Sequence, residues 1–180
     1  MRKDHRGFSL VEIIVIIAII GILAVASVSL IGYVRYADTE KTLKTVSDML
    51  NRQRITTMSM KDTQYLYIYR LDDGYYMKVT GTWLSSYDED VLGNDGTKIC
   101  NNNTNIEMMD SDDNRKPINK KSDIIRIQFK KTGALNMDTV TDDTTGTKTV
   151  VGTNVTEIFF VGKVTHTIRL FSDTGKHAVD

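Results

Sequence analysis

The residues best placed to do chemistry lie at the start of the chain. Gly7-Phe8 closes a short basic stretch, MRKDHRG, which carries three basic residues and one acidic residue. Gly7 has no Cβ, so a peptidase would meet an unhindered backbone there. Four residues past Phe8, Glu12 stands at the edge of an uncharged run, residues 13–31, in which 13 of 19 side chains are Ile, Leu or Val. An isolated carboxylate is costly in a medium of low dielectric constant, so Glu12 should sit at an interface or meet a positive group.

Other constellations are weaker. Asp173-Thr174-Gly175 suits one half of a proteolytic carboxylate pair, but that chemistry needs two carboxylates sharing a water and no second such string exists. A strand turn explains it. His5 lies in the basic stretch, and His166 and His177 are too few for a zinc or acid–base set. Asp88, Glu89, Asp90 and Asp95, or Asp110, Asp112, Asp113 and Asn114, could offer oxygen ligands to calcium, but neither group follows the twelve-residue loop closed by a glutamate, and both read as solvated acidic loops. Cys100 is the only cysteine and has no visible histidine partner. Asn102-x-Thr104 and Asn154-x-Thr156 fit the asparagine glycosylation pattern. There is no glycine-rich nucleotide loop, and the formal net charge of zero, with acids and bases interspersed, gives no general attraction to nucleic acid. The sequence implies no cofactor and no metal.

The elements that position these residues begin with a long helix. The run 13–31 is long enough as a helix to cross the roughly 30 Å of a bilayer's hydrocarbon core, and the basic flank predicts retention of the N-terminus in the cytoplasm. It differs from an ordinary secretion signal, because the apolar run is longer and Ala24-Val25-Ala26 lies inside it. Beyond Ile31, Tyr36, Thr39, Leu43, Val46, Leu50 and Thr57 recur at helical spacing, with Arg35, Lys41, Lys44, Asp48 and Arg52 on other faces. The helix should therefore continue to about Lys61, some 80 Å from Phe8 at about 1.5 Å per residue.

QYLYIYRL at 64–71 and YYMKVT at 75–80 flank Asp72-Asp73-Gly74 and predict a hairpin, with Tyr65, Tyr67 and Tyr69 on one face of a half-buried sheet. An aromatic sugar-binding face is the lesser reading of the same spacing. From Gly81 to Ser122 the Asn- and Asp-rich strings predict loops, with at most a short strand around Ile106–Met109. Asp123–Lys130, Val155–Val161 and Val164–Phe171 restore strand patterning, the last two as a hairpin, and a final edge strand should follow Gly175.

The string Arg6-Gly7-Phe8-Ser9-Leu10-Val11-Glu12, joined directly to the apolar run, resembles the N-terminus of the type IV pilin and type II secretion pseudopilin family. The resemblance is strong over about 25 residues; beyond them the order of helix, tyrosine-rich hairpin, strand with Lys-Thr-Gly and terminal strands with Asp-Thr-Gly is similar to the minor, tip-type pseudopilins. It implies an α+β, pilin-like fold: a leader at 1–7, a helix at 8–61 spanning the membrane over about 12–34, and a small antiparallel β-sheet head at 62–180 with a variable loop at 81–122. It further implies cutting between Gly7 and Phe8 and methylation of the new Phe8 amine by a prepilin peptidase/N-methyltransferase, with Glu12 meeting the Phe8 amine of a neighbouring subunit. The implied function is a non-catalytic structural subunit of a membrane-inserted pilus-like filament with its head outside the cell membrane, serving protein secretion or DNA uptake. Its partners would be other pilins or pseudopilins, an inner-membrane assembly platform with a separate ATPase, and a secreted protein or DNA as cargo. The alternative is a single-pass, membrane-tethered binding module that does not polymerise.

Overall fold

The computed structural model describes residues 10–93, 95–110, 113, 115–118, 123–136, 151–152 and 155–180. Among the described residues one helix, α1 (Leu10–Ser59), leads into ten strands, so the class is α+β. They are β1 (Tyr65–Leu71), β2 (Gly74–Thr80), β3 (Thr97–Cys100), β4 (Asn105–Asp110), β5 (Arg115–Pro117), β6 (Ile124–Gln128), β7 (Val151–Gly152), β8 (Val155–Val161), β9 (Thr165–Leu170) and β10 (His177–Val179).

The expected single antiparallel sheet is two five-stranded sheets, ordered β3-β2-β1-β6-β7 and β10-β9-β8-β4-β5. One pair, β6–β7, is parallel. The reason is long-range pairing that no local pattern reveals: β1 takes β6 as its second neighbour, while β4, which includes the short strand allowed around Ile106–Met109, pairs with β8 over Asn105–Asp110. The two sheets share one apolar core with the second half of α1. Leu43, Val46 and Leu50 meet Leu66, Ile68, Tyr75, Met77, Ile125 and Ile127 of the first sheet and Ile106, Met108, Ile158, Phe160 and Ile168 of the second. These helix residues keep the spacing of one stripe, and the head covers that stripe.

The first sheet also buries its far face. Tyr67, Tyr69 and Ile124 are covered by Leu84 and Leu92, with Tyr65, Tyr76, Tyr87 and Val91 at the margin. Alternation therefore gives way to a strand buried on both faces, and the tyrosines are core rather than a sugar platform.

The expected membrane span over 12–34 is corrected. Among the described residues no helix is long and apolar enough to cross a membrane. The single-pass placement with the head outside, the membrane-inserted filament subunit and the membrane-tethered alternative all depended on that span, and all three fall with it.

Candidate functional site: the start of the helix and its motif

Gly7 and Phe8, the predicted processing residues, lie outside the described residues. Glu12 lies in the first turn of α1, where the free N–H groups of the helix start favour a negative charge. Its side chain is exposed, as is every residue from Leu10 to Val25. Leu10, Val11, Ile19, Ile20 and Leu23 show more than half their surface, and they point around the whole circumference of the helix rather than along one stripe. At 100° per residue such a segment has no polar side to turn to water.

The head takes hold of α1 farther along. Lys163, in the turn between β8 and β9, comes up against Gly32, and Thr39 packs on Gly162 in the same turn. Buried Thr39 lies 3.3 Å from Thr104, oxygen to oxygen, and the Thr42 hydroxyl donates to the Ile99 carbonyl at 3.1 Å. Tyr36 donates to Glu40 one turn on at 2.6 Å, a bond to a carboxylate that holds the phenol above its usual range. Lower down, Arg54 reaches both sheets: its Nε donates to the Gly133 and Thr174 carbonyls, each at 3.0 Å. The Lys-Thr-Gly and Asp-Thr-Gly turns are thereby brought together, and a methyl group on Gly175 would overlap the Gly133 carbonyl. Spacing placed Arg54 on the helix but gave no sign that it ties two turns.

The other sequence candidates are dispersed. Asp173 and Thr174 are exposed turn residues, and among the described residues no group of three or more His, Cys, Asp or Glu could hold a metal ion. Asp88 accepts from the Asp90 and Val91 amides as a turn cap, while Asp95 pairs with Lys78 at 2.6 Å, which holds its carboxyl below the usual range. Of the second acidic group only Asp110 and Asp113 are described, and Asp112 and Asn114 lie outside. His166 sits under the helix beside Tyr36, with ring centres 6.2 Å apart, and its Nε2 has no partner among the described residues. His177 Nε2 lies 2.6 Å from the Ser47 hydroxyl, and burial holds the imidazole below its ordinary value against the opposing charge of Asp48. Neither pattern was visible in the sequence, because the contacts join residues 130 positions apart. Cys100 is buried, and burial reinforced by the charge of Asp38 pushes its thiol up to about 12, so it is a poor nucleophile. Asn102 spends its amide on the Asp72 carbonyl at 2.7 Å and Thr104 is buried, which disfavours that acceptor pattern; Asn154 lies outside the described residues.

Comparison with curated proteins and with solved structures returns no match. The family model for the prokaryotic N-terminal methylation motif matches residues 2–28, ending within the apolar run. Such a motif implies processing by a peptidase and methyltransferase. The chain therefore carries, over residues 2–28, an N-terminal methylation motif typical of type IV pilins and pseudopilins.

Proposed function

We propose that the chain is cut between Gly7 and Phe8, methylated on the new Phe8 amine, and then joined to other pilins or pseudopilins as a minor, tip-type subunit. The observation that supports this reading is the junction of the motif with a helix whose apolar surface is bare on all sides from Leu10 to Val25. At about 25 cal/mol per Å² of apolar surface removed from water, covering such a surface is strongly favoured. Equivalent helices of other pilin-like chains offer the matching shape, with Ala18, Gly21 and Ala24 allowing close approach.

Glu12 gives the contact its register. A carboxylate covered by neighbouring helices needs a cation, and the Phe8 amine of the next subunit supplies one. The role is non-catalytic, since the bond cleavage and methyl transfer are done to the chain by its processing enzyme. Mechanical work would come from an assembly platform with a separate ATPase, and a secreted protein or DNA would be the cargo.

Mass spectrometry of protein from native cells tests the first step. The expected product begins at methylated Phe8; an intact Met1 end overturns the reading. A photo-crosslinker at position 12 should then capture the N-terminus of another pilin-type chain, and Glu12→Leu should abolish association while leaving the head folded.

A further inference from the structure

Where the last turns of α1 pass the end of β2, Met49, Arg52, Gln53, Thr56, Gln64 and Val79 enclose an open groove of about 250 Å³. Its backbone wall follows from the register of the β1–β2 hairpin. The two-residue turn Asp72-Asp73 makes Leu71 and Gly74 a hydrogen-bonded pair, so Tyr69/Tyr76 and Tyr67/Lys78 bond inward across the hairpin. Tyr75, Met77 and Val79 then direct their N–H and C=O groups away from β1. Tyr75 and Met77 find partners in Cys100 and Thr97 of β3, but the pairing stops there. Before Thr97 the chain passes over the opposite face, where Gly96 abuts the Tyr69 hydroxyl and Asp95 holds Lys78. Val79 thus presents an open strand edge beside the groove, among the described residues, and its side chain faces the helix like those of Tyr75 and Met77.

The polar lining is rich in donors. Gln53, only 4% exposed, donates through Nε2 to Gln64 Oε1 at 3.3 Å and to the Thr57 hydroxyl at 3.4 Å. That fixes the Gln64 amide with its oxygen used and its nitrogen directed elsewhere. Arg52 is exposed and makes no ion pair among the described residues. Arg52 and Gln64 thus line one volume with Met49 and Val79, beside the open edge of β2.

We propose that this groove binds an extended segment of a partner protein carrying an acidic side chain. The segment adds to the free edge of β2 at Val79, its carboxylate meets Arg52 and Gln64, and an adjoining apolar side chain lies against Met49. The proposal stands apart from the helix assembly above, since it uses the last turns of α1 and the β1–β2 hairpin, not residues 10–25.

The test is a titration of full-length protein, labelled with ¹⁵N-valine and ¹⁵N-glutamine and kept in mild detergent, with the peptide acetyl-Thr-Val-Asp-Val-Thr-amide and its Lys-for-Asp counterpart. Expected are saturable shifts of the Val79 amide and the Gln64 side-chain amide, with the Asp peptide binding about tenfold tighter than the Lys peptide. Arg52→Ala should remove that preference and Arg52→Lys should keep part of it. Equal binding of the two peptides, an unaltered preference in Arg52→Ala, shifts confined to other sites, or no saturation at millimolar peptide would each overturn the proposal. A peptide with a free C-terminal carboxylate and no Asp that binds as tightly would also overturn it, because the charge recognised would then be the chain end.

Discussion

The two sheets treat their outer faces in opposite ways. Behind the first sheet lies a second core, in which Tyr69 is fully buried, its hydroxyl donating to the Leu92 and Gly93 carbonyls at 3.0 and 3.2 Å and its ring stacked 6.0 Å from Tyr76. Burial pushes that phenol up to about 12. Arg126, 3% exposed, is buried in the same layer with its guanidinium 4.7 Å from the Trp83 ring and 3.2 Å from the Leu84 carbonyl. The outer face of the second sheet is instead a charge ladder in water. Arg169 pairs with Glu157 at 2.8 Å directly across β8 and β9, Arg115 pairs with Glu107, and Arg115 also covers the ring of Phe159 at 4.0 Å. The same period-two alternation can be closed by a covering loop or left open under paired charges, and residues 81–96 decide which. Trp83, Leu84, Tyr87, Val91 and Leu92 supply apolar side chains over the first sheet, whereas the second carries the Arg169–Glu157 and Arg115–Glu107 pairs there.

Substitution of outward-facing aromatics should break this contrast most sharply. Tyr69→Ala is expected to cost about 3–5 kcal/mol, as for a large aromatic removed from a core, and Tyr69→Phe about 1–2 kcal/mol for the lost hydroxyl contacts. Both are readable from denaturant midpoints. Phe159→Ala, on the open face, should cost only about 1 kcal/mol; a loss equal to that of Tyr69→Ala would mean that the second sheet also has a dry outer layer. Smaller again is the effect of uncoupling Arg169 from Glu157, where a double-mutant cycle should return about 0.2–1 kcal/mol and fade at high salt.

Acidity should separate the sheets by where each begins to loosen. Lys98 and the Tyr76 hydroxyl hold Asp73 below its ordinary value and Lys78 does the same for Asp95, so both carboxylates are deprotonated more readily in the folded state. Their contribution is present above the ordinary value of 3.8 and is lost as pH falls through the lower native values. His177 is shifted the opposite way for a base: burial lowers its native value below 6.5, the unfolded chain takes up the proton first, and stability falls as pH drops from 6.5 toward that lower value. Amide exchange followed against pH should therefore show β10 loosening below pH 6.5 and β3 only below pH 3.8. His177→Gln should remove the first step and Asp73→Asn with Asp95→Asn should flatten the second.

Legibility in the sequence followed the range of the interactions. The phase of α1 could be read from Thr39, Leu43, Val46, Leu50 and Thr57, all of which the head buries, because one helical stripe declares its own period. The β1–β2 hairpin and the β8–β9 pair were equally readable from local turns. What could not be read were β3 and β5, while β4 was legible only as a short strand around Ile106–Met109, with no sign of its pairing to β8 or of the burial of Ile106 and Met108. The second core was hidden for a related reason, since Leu84 and Leu92 lie in a segment with no period and find Tyr67 and Tyr69 only through tertiary contact. At the other end, the motif over residues 2–28 could be read from its residue string. The inference from apolar run to membrane crossing could not be carried over, for among the described residues no helix is long and apolar enough.

The lone thiol offers a way to watch the molecule breathe. Cys100 sits on the edge strand β3 beneath the helix, closed over and reluctant to ionise. An alkylating reagent can reach it only while that strand has come away, so each labelled molecule records one excursion from the closed form. The chain thus contains its own counter for partial opening, read by mass alone and requiring no engineered probe.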